Sequence, residues 1–69
     1  MTIHQKLKNL RTYQMGISIR DLSTELQIPH SNYARVEHNQ LPDLILLSKL
    51  AVFYGLTLSG ILSDIDPII

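Results

Sequence analysis

Residues 18–37, SIRDLSTELQIPHSNYARVE, carry two short apolar stripes at helical spacing, separated by a break. Leu22 and Leu26 stand four apart and Tyr33 and Val36 three apart, with the small Ser23 beside the first pair and Ile28 in the break. Two amphipathic helices fit around Gln27-Ile28-Pro29 only if the chain turns sharply there. That is the geometry of a helix-turn-helix unit, spanning 18–38.

Upstream, Thr2-Ile3-His4-Gln5 has the form of a capping box, in which the threonine hydroxyl serves one free N–H and the glutamine reaches back. It predicts a first helix from Ile3 to Tyr13, with Ile3, Leu7 and Leu10 inward and Met15-Gly16-Ile17 closing it. Ser18 caps the second helix, and Asp21 lies where a negative charge suits a helix N-terminus. The third helix starts at Pro29 or His30, since proline is tolerated only in the first turn, and runs to His38.

Downstream, Asn39 to Pro42 reads as a loop, and Asp43 as the cap of a fourth helix ending near Gly55. Its expected inner face is Leu44, Leu47, Leu50, Ala51 and Tyr54, leaving Ile45, Leu46 and Val52 outward. Thr57 opens a fifth helix, Leu58 to about Ser63, weakened by Gly60 at roughly 1 kcal/mol relative to alanine. The expected architecture is all-α, a five-helix bundle forming one domain over 1–69, with an apolar tail at 64–69 that cannot stay helical past Pro67.

A 69-residue chain hides only about 60% of its unfolded surface, so a helical bundle is the economical solution. There is no cysteine, which excludes disulfides and cysteine zinc sites and agrees with a reducing cytoplasm, the expected location. No signal peptide is visible. The formal net charge is zero, yet five cations against two carboxylates give residues 1–36 a sum of +3, and one cation against four gives residues 37–69 a sum of −3. A molecule with two such ends can turn the basic one toward phosphate.

The helix-turn-helix stretch, together with Leu7-Lys8-Asn9-Leu10-Arg11, Pro42-Asp43-Leu44 and Lys49-Leu50-Ala51, resembles the DNA-binding domain of the Cro/C1 repressor-type (XRE) family. The likeness covers roughly residues 3 to 62 and implies a lambda-repressor-like domain. Four departures stand out: Gln27 replaces the family's usual glycine, Ile19 its usual glutamine, one extra residue precedes Gly16, and the loop after Glu37 is one residue short.

The resemblance implies a third helix lying in the major groove of double-stranded DNA. Its outward residues are then His30, Ser31, Asn32, Ala34 and Arg35, of which His30, Ser31, Asn32 and Arg35 are the candidate base contacts. Arg35 is the first choice among them, because a guanidinium can donate two bonds to guanine O6 and N7; a solvated helix arginine or a phosphate clamp is the alternative. Ser18, Arg20, His38, Asn39 and Gln40 flank the groove as candidate phosphate contacts. Arg11 and Glu37 match an internal ion pair of the family and read as structural support.

The outward Ile45 and Val52 are seven apart, hence on one stripe, and Ile65, Ile68 and Ile69 add apolar surface in the tail. Such a cluster suggests a homodimer face, with Ser59 and Gly60 allowing close approach. The alternative is a tail folded over its own fourth helix.

The function implied is a sequence-specific transcriptional regulator, a dimeric repressor on a palindromic operator. A protein-binding adaptor, such as an antitoxin-like or anti-repressor partner, is the rival from another class. Enzymatic function lacks a constellation: there is no phosphate loop, nucleophile elbow or zincin motif, and His30 and His38 are about 12 Å apart by the helical rise. Nothing calls for a metal or a cofactor. Leu44 to Leu62 holds a single charge, Lys49, but the break at Gly55-Leu56-Thr57 divides it into two buried helices and argues against a membrane span.

Overall fold

In the computed structural model, which describes residues 1–66, the helices are α1 (Ile3–Asn9), α2 (Ile19–Leu26), α3 (His30–His38), α4 (Leu44–Tyr54) and α5 (Leu58–Ile61). Side-chain caps start four of them. Thr2, Ser18, Asp43 and Thr57 each accept the N–H three residues on, and Gln5 returns the bond to Thr2 to complete the capping box. Each cap satisfies a donor that the helix itself leaves open.

The helices then close around a core to which each contributes one fully buried side chain: Leu7, Leu22, Tyr33, Leu50 and Ile61. Ile3, Leu10, Leu26, Val36 and Tyr54 complete it. Ser23 is also buried, and its hydroxyl donates to the Ile19 carbonyl at 2.7 Å, so a small polar residue adds no unpaired group there.

The first helix runs further than its pattern predicts. Beyond Asn9 the chain stays helical to Met15, but as a π-helix over Leu10–Met15. The wider turn absorbs the extra residue before Gly16 without breaking the helix, which is how a single insertion is usually accommodated. Gly16 then adopts the left-handed conformation (φ 60°), and the Ile17 N–H returns to the Arg11 carbonyl at 3.1 Å.

The fifth helix ends earlier than expected, at Ile61, where Leu62 leaves helical geometry and Ser63 bonds back to the Gly60 carbonyl. A Cβ on Gly60 would stand 3.3 Å from the Thr57 hydroxyl oxygen, so the missing side chain accommodates the cap of its own helix. The tail folds back toward α1: Lys6 meets Asp64 at 3.2 Å and the Met1 amino group meets Asp66 at 2.9 Å. Charge segregation along the sequence is therefore not segregation in space.

Two assignments on α4 exchange places. Leu44, expected inside, is 67% exposed, whereas Leu46, expected outside, packs against the core. The buried arc centres on Leu50 and Tyr54; at about 100° per residue Leu46 falls within it and Leu44 beyond its edge. No helix is long and apolar enough to cross a membrane among the described residues.

The turn between α2 and α3 contains the one non-glycine residue at positive φ among the described residues, Gln27 (φ 59°). It ends α2 as Gly55 ends α4: Ile28 donates to the Ser23 carbonyl at 3.0 Å, and Leu56 to the Ala51 carbonyl at 2.8 Å. The geometry that the family usually assigns to glycine is kept, with a side chain strained to fit it. Gln27→Gly should stabilise the fold by about 1 kcal/mol, raising Tm by several degrees. Thermal unfolding of the two proteins checks this, and an unchanged or lower Tm would show that the Gln27 side chain contributes more than the strain costs.

Candidate nucleic-acid interface

Helix α3 is nine residues long, too short to hold its shape in water without tertiary support. Tyr33 and Val36 anchor it in the core. Its C-terminal end is fastened twice more: His4 donates from Nδ1 to the Val36 carbonyl at 2.7 Å, and Arg11 grips Glu37. The arginine fork is bidentate, Nε to Oε2 at 2.7 Å and Nη2 to Oε1 at 2.9 Å, while Nη1 donates to the Ile17 carbonyl at 2.9 Å. One guanidinium thus joins the π segment, the approach to α2 and the end of α3.

This node lies in a desolvated place. Only 11% of the Arg11 side chain and 6% of the Glu37 side chain are exposed. The hydrogen bonds to Glu37 hold the guanidinium charge firmly, against the opposing effect of burial. The hydroxyls of Tyr33 and Tyr54 are buried without a hydrogen bond among the described residues. Burial, and after it the Glu37 carboxylate, pushes the Tyr33 phenol far above its ordinary range; the same causes push Tyr54 up to about 12.

The opposite face of α3 is open. His30, Ser31, Asn32 and Arg35 are exposed, whereas Ala34, expected outward with them, is half-buried. Pro29, which precedes the helix, offers no side-chain cap, and of the first-turn amides that of Asn32 returns to the Pro29 carbonyl at 3.1 Å. Arg35 makes no ion pair among the described residues: Glu37 is turned inward and neutralised, and Asp43, on the wall of the same cleft, accepts from the Leu46 N–H as the cap of α4.

Ser18 and Arg20 are exposed at the start of α2, and His38, Asn39 and Gln40 at the end of α3. The Asn39 and Gln40 amides both return to the Arg35 carbonyl, at 2.9 and 2.8 Å, which fixes the shortened loop at its root. Asn32, Arg35 and Gln40 share the wall of a cleft of about 450 Å³ with Leu41, Ile45 and Lys49. The candidate base contacts are thereby brought beside the exposed Ile45 of α4.

Two supporting residues were not legible in the sequence. His4 is read from the sequence only as part of the capping box, but it serves the C-terminus of α3. Lys49 donates to the Leu26 carbonyl at 3.3 Å and so ties α4 to the end of α2. No periodicity marks such contacts, because each joins a polar side chain to a helix-end carbonyl distant in sequence.

Removing one partner of the buried pair strands the other charge. Arg11→Met should therefore cost about 3 to 5 kcal/mol, enough to unfold much of so small a domain. Chemical denaturation measures it, and a loss below about 1 kcal/mol would show the pair to be dispensable.

A model of the helix-turn-helix family matches residues 7–61, a span running from the last turns of α1 through α5. No curated protein is similar enough to the chain to count as a match. The family is one of DNA-binding regulatory domains, and its architecture is the one seen here: all-helical, five helices, with no strand among the described residues. With an anchored α3, a tight turn before it and an open outer face, the chain belongs to the Cro/C1-type (XRE) helix-turn-helix family of DNA-binding regulators.

Proposed function

We propose that the protein is a cytoplasmic, dimeric repressor that occupies a palindromic operator and reads it with α3. The observation that carries this reading is the polarity of that helix: its carboxylate is buried against Arg11, while His30, Ser31, Asn32 and an unpaired Arg35 remain outward. Arg35 bonds a guanine edge in the major groove. His30, Ser31 and Asn32, nearer the open N-terminus of the helix, supply the remaining base contacts.

Phosphates are held at both ends of the motif, by Ser18 and Arg20 on one side and by His38, Asn39 and Gln40 on the other. Lys8, Arg20, Arg35 and Lys49 are the cationic side chains without an ion pair among the described residues, and they give an overall neutral chain its attraction to phosphate. Two copies side by side also fit the spacing of an operator. The domain measures 31 × 23 × 22 Å, comparable with the roughly 34 Å between half-sites one helical turn apart.

Dimerisation is assigned to the outer stripe of α4, where Ile45 is 71% and Val52 81% exposed. Ser59, exposed on α5, and the half-buried Gly60 stand as secondary contacts. Ile65, expected on the same face, is half-buried against the core of its own chain, and the residues beside it meet Met1 and Lys6, so this part of the tail folds back in its own chain toward α1 and not over α4. Ile68 lies outside the described residues.

On the preferred site, Arg35→Ala should cost about 1 to 3 kcal/mol and relax selectivity at one base pair, while affinity for any duplex falls steeply with salt. Selection from random duplex DNA followed by binding titrations measures both. Uniform weakening on all sequences would assign Arg35 to phosphate, and no duplex affinity would favour a protein-binding adaptor. The double variant Ile45→Glu, Val52→Glu should sediment as a folded monomer with weakened operator binding. A wild type that stays monomeric at high concentration, both free and on a palindromic site, contradicts the dimeric part of the reading.

A further inference from the structure

Between α2 and α4 runs a second groove, of about 510 Å³, lined by Glu25, Leu26, Gln27, Ser48, Lys49, Val52 and Phe53. It uses none of the candidate base or phosphate contacts, and Lys49 is the one residue it shares with the cations that draw the chain to phosphate. Its floor and lip are apolar, with Val52 81% exposed and Phe53 half-buried. It contains two charged residues, Glu25 and Lys49, and neither makes an ion pair among the described residues.

We infer that this groove receives a second copy of the chain, with Glu25 of each copy paired to Lys49 of the other. The inference rests on the dimeric reading above and names the surface and the charge contacts that would hold it together. A two-fold interface places one patch against itself, so the patch must be complementary to itself. This one is. It carries one acid and one base, an amide at Gln27 that both donates and accepts, and a projecting Val52 next to a groove able to take it.

Within such a patch the attractive charge contact open to a symmetric pair is Glu25 with the other copy's Lys49. A nucleic acid would meet the unpaired Glu25 with its phosphates, and the neutral balance gives an acidic or basic partner no advantage. Two features hold the groove ready. The bond from Lys49 to the Leu26 carbonyl fixes the ammonium at the wall while leaving donors free. Gln27 keeps its left-handed conformation where glycine would avoid strain, placing its amide at the rim.

The test uses charge reversal and mixing. Glu25→Lys and Lys49→Glu, each alone, face like charge with like at both contacts and should weaken the dimer by about tenfold or more. Their equimolar mixture restores two opposite-charge contacts and should dimerise with near wild-type affinity in sedimentation. An ion pair internal to one chain cannot give rescue by mixing. Lys49→Glu also removes the bond to Leu26. Should it not fold, Glu25→Cys and Lys49→Cys in the otherwise cysteine-free chain replace it: a short bismaleimide should link the mixture faster than either protein alone. A wild-type dimer that survives both reversals, or shows no preferential linking in the mixture, overturns this groove as the contact and leaves the dimeric reading standing. A wild type that is monomeric throughout overturns both.

Discussion

Holding a nine-residue helix rigid is the constraint on which this molecule depends. A helix of that length frays in isolation, so its order must come from outside. Arg11 supplies the decisive contact: its fork closes on Glu37 at 2.7 and 2.9 Å while its remaining nitrogen holds Ile17. The pair links the start of the turn-forming unit to the end of the presenting helix. It also removes from the outer surface the one carboxylate of α3, a group that would repel phosphate. Support and electrostatic polarity therefore have a common cause.

The rest of the bundle answers to the same requirement. Tyr33 and Val36 fix the rotation of α3, and with it which side chains look outward. His4 and the paired amides of Asn39 and Gln40 secure its end, while Lys49 holds the end of α2 on the far side of the turn. The acids of the tail, which by sequence form a remote negative end, instead meet Lys6 and the Met1 amino group. The cations left unpaired are Lys8, Arg20, Arg35 and Lys49 among the described residues, against the acids Asp21, Glu25 and Asp43, so attraction to phosphate depends on where those charges stand and not on their sum.

Local chemistry was the most legible part of the sequence. Thr2, Ser18, Asp43 and Thr57 announce helix starts because a hydroxyl or carboxylate next to an apolar-periodic run has one favourable use there, and Gly16 and Gly55 announce stops for the converse reason. Gln27 was visible as a departure, but its left-handed backbone was not, since the side chain gives no sign of the strain it bears. The π-helix was foreshadowed by one extra residue, whose accommodation by a wider turn instead of a longer loop depends on packing. On α4 nearly every position is apolar, so periodicity has little contrast, and Leu44 and Leu46 were exchanged. In the candidate site, the outward run of α3 follows from its buried Tyr33 and Val36. The cleft joining Arg35 to Ile45, like the groove joining Glu25 to Val52, depends on how helices distant in sequence are apposed.

The central claim is that a helix braced from behind meets DNA with its open face. It is tested most directly by mapping backbone amide resonances of the wild-type protein during titration with duplex DNA. The account predicts the largest shifts at the starts of α2 and α3, around Ser18, Arg20, His30 and Ser31, extending to Arg35 and Asn39, with little change at Lys6, Asp64 and α5. Shifts concentrated on α4 and α5, or none at any duplex concentration that the protein tolerates, would contradict it.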